Sequence, residues 1–200
     1  DIGCGEGYGS YHLADSAREV LGIDYDKTAI DYAKSRYQRK NLRFTAMDVK
    51  DIDLLRNKYD VICSFQVIEH ISDAGIFLGK VKNLLNEGGV FICSTPNKQD
   101  ASPNSNTPLN KFHVREYLYE EFKELLGPYF RDVEITGLKR DLKINFFRRL
   151  KKIGVFNFLP QGMNPVNRFY SNISCDNFII TKNKVGDALD FIAKCTKNGL

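Results

Sequence analysis

The chain opens on a glycine-rich loop, Asp1-Ile-Gly-Cys-Gly-Glu-Gly-Tyr-Gly9, and no other stretch restricts the fold as much. Alternate glycines strip side chains from a tight turn, so backbone amides and the next helix N-terminus can come close to a ligand. Nucleotide cofactors use such loops, usually where a buried parallel strand hands over to a helix. No initiator Met and no apolar lead-in precede Asp1; we therefore expect a fragment whose first strand is cut short. Both neighbouring strands would then have open edges, and the chain is expected to be poorly stable as it stands. A dinucleotide fingerprint needs G-x-G-x-x-G, and the two registers available put Tyr8 or Ser10 where the third glycine belongs. No Walker lysine follows, which excludes a P-loop.

Downstream, apolar runs alternate with helical spacing. Ser10 to Arg18 reads as a helix, and Val20 to Ile23 as a short buried strand. Asp26 to Gln38 is a second helix, with Asp26 able to cap it and Ile30, Ala33 and Tyr37 on one face. Leu42–Ala46, Tyr59–Phe65 and Gly89–Ser94 follow as strands, with a helix over Ala74–Leu85. This alternation predicts a parallel sheet with right-handed crossovers. The polar stretch Pro96–Asn110 is expected as an exposed loop, followed by a helix over Val114–Leu126 and a strand over Phe130–Leu138. Asn177–Thr181 is expected as the last strand and Asp187–Lys194 as a short closing helix.

One domain spans residues 1–200, with an insertion at 139–174 that carries the aromatic and basic run NFFRRLKKIGVFNFLP. The insertion reads either as an amphipathic helix packed on the sheet or as a lid or substrate-binding segment. Much of the basic excess, 29 Lys+Arg against 25 Asp+Glu, falls between Lys139 and Lys152, so Arg148, Arg149, Lys151 and Lys152 form a solvated face or meet a phosphate-bearing acceptor or a membrane surface. The five cysteines form no CxxC pair and have no His at metal spacing, so neither a disulfide framework nor a zinc site is expected, and a reducing cytoplasm fits best. No apolar run approaches the roughly 20 residues of a membrane span.

Asp1, Gly3, Gly5 and Gly7 together give D-x-G-x-G-x-G. In this the chain resembles the class I S-adenosylmethionine-dependent methyltransferases, whose first motif, (D/E)-x-G-x-G-x-G, ends strand one. The resemblance implies a doubly wound, Rossmann-like α/β sheet of seven strands, mostly parallel with an antiparallel last strand, here with the first strand truncated. It also implies S-adenosyl-L-methionine as cofactor. Asp24 closes the second strand, where a carboxylate can accept from both ribose hydroxyls, with Tyr25 beside it. Asp48 closes the third, at the family's adenine-binding position, with Val49 against the ring.

YDVICSFQVIEHI, residues 59–71, looks like the strand-four motif of a subgroup that includes ubiquinone-biosynthesis and surface-glycan O-methyltransferases. There Phe65 and Gln66 would line the cofactor, and Glu69-His70 would start the next helix. His70 orients substrate, takes its proton, or is a structural histidine. His113, in FHVREY, is a second candidate for the acceptor side or else a capping residue. By subgroup resemblance the acceptor is a small molecule or a glycan or lipid precursor methylated on oxygen. No N-P-P-Y or D-P-P-Y motif follows strand four, which argues against nucleic acid. Two rivals stay open: a binding module without turnover, and a nicotinamide-dependent oxidoreductase.

Overall fold

The computed structural model describes residues 1–156, 158–160 and 163–197. After the opening loop come α1 (Tyr8–Leu13), β1 (Val20–Asp24), α2 (Lys27–Arg36), β2 (Leu42–Ala46), β3 (Tyr59–Phe65), α3 (Ala74–Leu84) and β4 (Leu85–Pro96). The second half holds α4 (Lys98–Ala101), α5 (Tyr119–Leu126), β5 (Asp132–Arg140), α6 (Leu142–Ile153), α7 (Pro165–Tyr170), β6 (Phe178–Thr181) and β7 (Asp190–Thr196). Helix starts follow the sequence: Asp26, Asp73 and Asp141 each accept amides of the first turn, satisfying donors that the helix itself leaves free.

β1 and β2 pair in parallel as one sheet, and β3, β4, β7, β5 and β6 line up in that order as a second. Residues 1 and 2 stand between them. The Ile2 amide donates to Cys63 O at 2.8 Å, the Ile23 amide to Asp1 O at 2.9 Å and the Gly3 amide to Ile23 O at 2.8 Å. Residues 1–3 thus join β1 to β3. β4 runs parallel to β3, and β4 and β5 both run antiparallel to β7, so β5 shares their direction.

Two expectations at the carboxyl end are corrected. Asp187–Lys194 does not close the chain as a helix: Asp190–Thr196 is β7, inserted between β4 and β5. Its buried residues Phe191, Ala193 and Cys195 alternate, and the central slot between two strands buries that face more fully than a surface helix would. The Asn177–Thr181 run, expected as the last strand, is the edge strand β6, paired antiparallel with β5 alone. Two strands, β6 and β7, therefore run against the others. The stretch from Pro96 to Asn110 is also less exposed than expected, because Asn97 and Ser102 are buried and frame the short helix α4.

The main core lies between the five-stranded sheet and its helices. Phe91 stacks on Phe130 at 5.6 Å, and Phe122 of α5 stacks on Phe191 of β7 at 6.2 Å. Each such ring buried completely contributes about 1.5–3 kcal/mol. A smaller cluster, Ala14, Ile30, Ala33, Leu42 and Phe44, packs α1 and α2 onto the β1–β2 sheet.

Candidate active site

Strands β1, β2, β3 and β4 end on one edge of the molecule, and the turns leaving them carry the residues singled out in the sequence. Gly3, Gly5 and Gly7 all adopt positive φ, at 76°, 50° and 85°. A Cβ on Gly3 would stand 2.3 Å from Val67 Cγ2, so the loop lies directly against the turn after β3. A Cβ on Gly5 would meet nothing within 4 Å: the backbone there faces open space. Asp1 is held from below, its Oδ2 accepting from Ser10 Oγ at 2.6 Å, and Ser10 is fully buried.

Asp24 ties the edge together. Its Oδ2 accepts the Gly5 amide at 2.8 Å, its Oδ1 the Asp26 amide at 2.9 Å, and its carbonyl the Met47 amide at 2.8 Å. One residue thus links the glycine loop, the end of β1 and the end of β2, while each carboxylate oxygen keeps a lone pair for a further donor. Tyr25 beside it is exposed. Asp48 caps a 3-10 turn, accepting the Lys50 amide at 2.9 Å, and Val49 packs its side chain against the main core.

After β3, Phe65 is half-exposed and Gln66 takes φ 56°, a left-handed conformation rare for a side chain of this size. Ser94 holds it there: the Gln66 amide donates to Ser94 O at 3.1 Å, and Gln66 Nε2 donates to Ser94 Oγ at 3.1 Å. Strain of this kind, fixed by a neighbouring strand, is common where a backbone must frame a ligand.

Glu69 and His70 lie in a 3-10 turn, Ile68–His70, and not at the start of the following helix, which begins at Ala74. The Val114 and Arg115 amides both donate to Glu69 O, at 2.8 and 3.1 Å, and this brings the distant segment 112–116 onto the turn. His70 Nδ1 donates to Phe112 O at 2.8 Å, leaving Nε2 as the free nitrogen of the neutral ring. His113 lies edge-on to His70 with centroids 5.0 Å apart. Its Nδ1 bonds Glu116 Oε1 at 2.8 Å and its Nε2 bonds Asn110 Nδ2 at 2.9 Å, so both ring nitrogens are engaged.

Beneath the histidines lies a polar cluster that sequence spacing did not reveal. Glu69 is fully buried with neither carboxylate oxygen hydrogen-bonded, and Thr95 Oγ1 and Glu116 Oε2 are likewise buried and unpartnered. Burial pushes the Glu69 carboxyl above the usual range, against the opposing pull of His70 and His113. Ligand atoms of Glu69, His70 and His113 come within 4.8 Å of one another, a spacing open to a metal ion only if His113 gives up one of its two ring hydrogen bonds. Glu116 could have been suspected from its position three residues after His113. Glu69 was visible only as a neighbour of His70.

A family model described as a methyltransferase domain matches residues 1–131. A probable S-adenosylmethionine-dependent methyltransferase of Mycolicibacterium smegmatis is 42% identical over 136 residues, which cover 68% of this chain and 52% of that protein. A ubiquinone biosynthesis O-methyltransferase of Nitrobacter winogradskyi is 32% identical over 100 residues, 49% of this chain and 38% of that one. The chain thus spans about half or less of the length of these curated relatives. Among solved structures, a SAM-dependent methyltransferase from Archaeoglobus fulgidus superposes with a TM-score of 0.67 at 18% identity, covering 98% of this chain and 84% of the other. The chain belongs to the methyltransferase domain family, and its cofactor is S-adenosyl-L-methionine.

Proposed function

We propose that the chain transfers a methyl group to an oxygen atom of a small molecule or of a glycan or lipid precursor. The observation that carries this reading is the triple tie at Asp24, which fastens the glycine loop and the ends of β1 and β2 around one open space. The open side of Gly5, where a Cβ would meet no protein atom, fits a ligand lying against the loop. When bound, the sulfonium supplies an electrophilic methyl carbon that an in-line acceptor oxygen can attack.

In this reading Gly3, Gly5 and Gly7 offer backbone to the methionine portion, and Asp1 with Ser10 fixes the base of the loop. Asp24, with Tyr25 beside it, accepts from the ribose hydroxyls; Asp48 accepts from the adenine amine, and the backbone of Val49 meets the ring. Phe65 and Gln66 form the wall. On the acceptor side the two histidines divide the work. His70, with Nδ1 locked onto Phe112 O, has Nε2 free to take the hydroxyl proton, whereas His113, bonded at both nitrogens, positions the turn. The chain's likeness to a ubiquinone biosynthesis O-methyltransferase supports oxygen as the acceptor atom. We place the chain in the cytoplasm, where its five unpaired cysteines would stay reduced. We read residues 1–200 as a single domain, with the insertion as its lid or substrate-binding segment.

Calorimetry with S-adenosylhomocysteine beside NAD tests the cofactor side: tight binding of the first and none of the second is expected, and the reverse overturns the reading. Turnover on a panel of hydroxylated acceptors tests the rest. His70→Ala should lower kcat about 10²-fold or more and remove an ionisation from its pH profile; full turnover would remove the base. Cofactor binding with no product on any acceptor would favour a non-catalytic module.

A further inference from the structure

Helix α6 has two apolar faces, and only one of them is used inside the molecule. Inward, Ile144 is buried at 3% exposure and Phe147 stacks on Phe169 of α7 at 4.0 Å. On the other side Leu142, Phe146 and Ile153 fall in one stripe at helical spacing and are 87%, 57% and 71% exposed. The helix ends at Gly154 in the left-handed conformation, and Val155, Phe158 and Met163 beyond it are exposed as well. Lys143 and Lys152 flank the stripe, and Arg149 stands within it between Phe146 and Ile153. From residue 142 to residue 175 the sequence holds Lys143, Arg148, Arg149, Lys151, Lys152 and Arg168, and no Asp or Glu.

We propose that the outer face of α6, with the turn after it, docks on an anionic membrane surface. An apolar stripe between basic flanks matches the boundary between acyl chains and lipid phosphates: Leu142, Phe146 and Ile153 enter the apolar layer while the long cationic side chains reach up to the headgroups. Charge selects this occupant over a second copy of the chain, because pairing the same face with itself would set basic flank against basic flank. An aqueous polyanion would match the lysines and arginines but leave the three large apolar side chains in water. No helix among the described residues is long and apolar enough to cross a membrane, so the contact is a surface one. The placement also suits the proposed chemistry. β5 runs parallel to β3 and β4, so the insertion leaves the same sheet edge that carries the glycine loop. Docking through α6 turns that edge towards the bilayer; only this last point, with the lipid acceptor it implies, rests on the methyltransfer reading.

The chain contains no tryptophan, so Phe146→Trp gives a reporter with no background. Flotation of the full chain with phosphatidylcholine vesicles, with and without about 30% phosphatidylglycerol, is expected to show binding to the anionic vesicles only. Added salt should weaken it, and the emission of the introduced indole should shift to the blue. The triple variant L142S/F146S/I153S and the double variant R149E/K152E should each lose at least about tenfold in vesicle affinity, with S-adenosylhomocysteine binding unchanged as proof of an intact fold. The proposal is overturned if the chain ignores anionic vesicles at low salt, or if both variants bind like the parent. It is also overturned if the triple variant instead abolishes a concentration-dependent dimer, or if inorganic phosphate binds at this face and vesicles do not. Failure of the parent chain to bind S-adenosylhomocysteine would count against the methyltransfer reading and leave the flotation result standing.

Discussion

Gly3 and Gly5 share a backbone conformation and differ in what surrounds them, which lets two substitutions separate folding from ligand binding. Gly3→Ala drives a methyl group into Val67 and should damage the loop and the turn beside it. Gly5→Ala meets no protein atom, so its cost to the fold is the strain of a left-handed alanine, about 1–2 kcal/mol, or a few degrees of Tm. Its methyl would occupy the ligand's space. We expect S-adenosylhomocysteine affinity to fall at least about tenfold, beyond what that loss of stability explains; unaltered affinity would show that Gly5 does not face the cofactor.

Asp190, at the start of β7, offers a residue-scale test of a different kind. Burial pushes its carboxyl up to about 6, with Arg140 pulling it down and Asp100 adding to the rise. A carboxyl that holds its proton more tightly folded than unfolded loses stability as it ionises. The cost therefore appears as pH rises from about 4, the ordinary value, to about 6, and is constant above. Asp190→Asn should raise Tm at pH 7.5 and give no advantage at pH 4. An equal gain at both values would contradict the shift.

At the scale of elements, the turn that ends β4 depends on one side chain. Asn97 is buried, donating through Nδ2 to Gly186 O and Ala188 O at 2.8 and 2.7 Å and accepting the Gln99 amide at 3.0 Å. Asn97→Ala strands two carbonyls and an amide, and urea unfolding should report a loss of about 2–4 kcal/mol. This turn also marks the limit of what the sequence discloses. β1, β2, β3 and the central part of β4 were legible because each is a compact apolar run, and Asp24 and Asp48 because each ends one. β7 was not, because in GDALDFIAK an aspartate precedes apolar residues that also satisfy helical spacing, and the alternation of Phe191, Ala193 and Cys195 is decided only by the strands on either side. The Glu69, His70 and His113 cluster was hidden for another reason: it forms through two amide bonds to Glu69 O from a segment far along the chain.

At the scale of the molecule, two cores of unequal size share β1, whose Leu21 and Ile23 pack into the main cluster beside Ile2. The other face of the β1–β2 sheet is backed only by the small cluster Ala14, Ile30, Ala33, Leu42 and Phe44, while most of the main cluster lies on the five-stranded sheet. Local stability follows the apolar contacts that back each unit. Hydrogen exchange should therefore be faster over residues 20–46 than over β3, β4 and β7, and adding S-adenosylhomocysteine should slow the first group more, since Asp24 and Asp48 lie at its strand ends. Uniform protection across both sheets would show one cooperative unit instead. The Arg140 guanidinium, bonded to both oxygens of Asp100 at 2.8 and 2.9 Å, spans the gap between the root of the insertion and the short helix after β4. That fork couples the root of the basic helix α6 to α4. Arg140→Ala removes this tie, so α6 and the short helix α4 would be free to shift against each other.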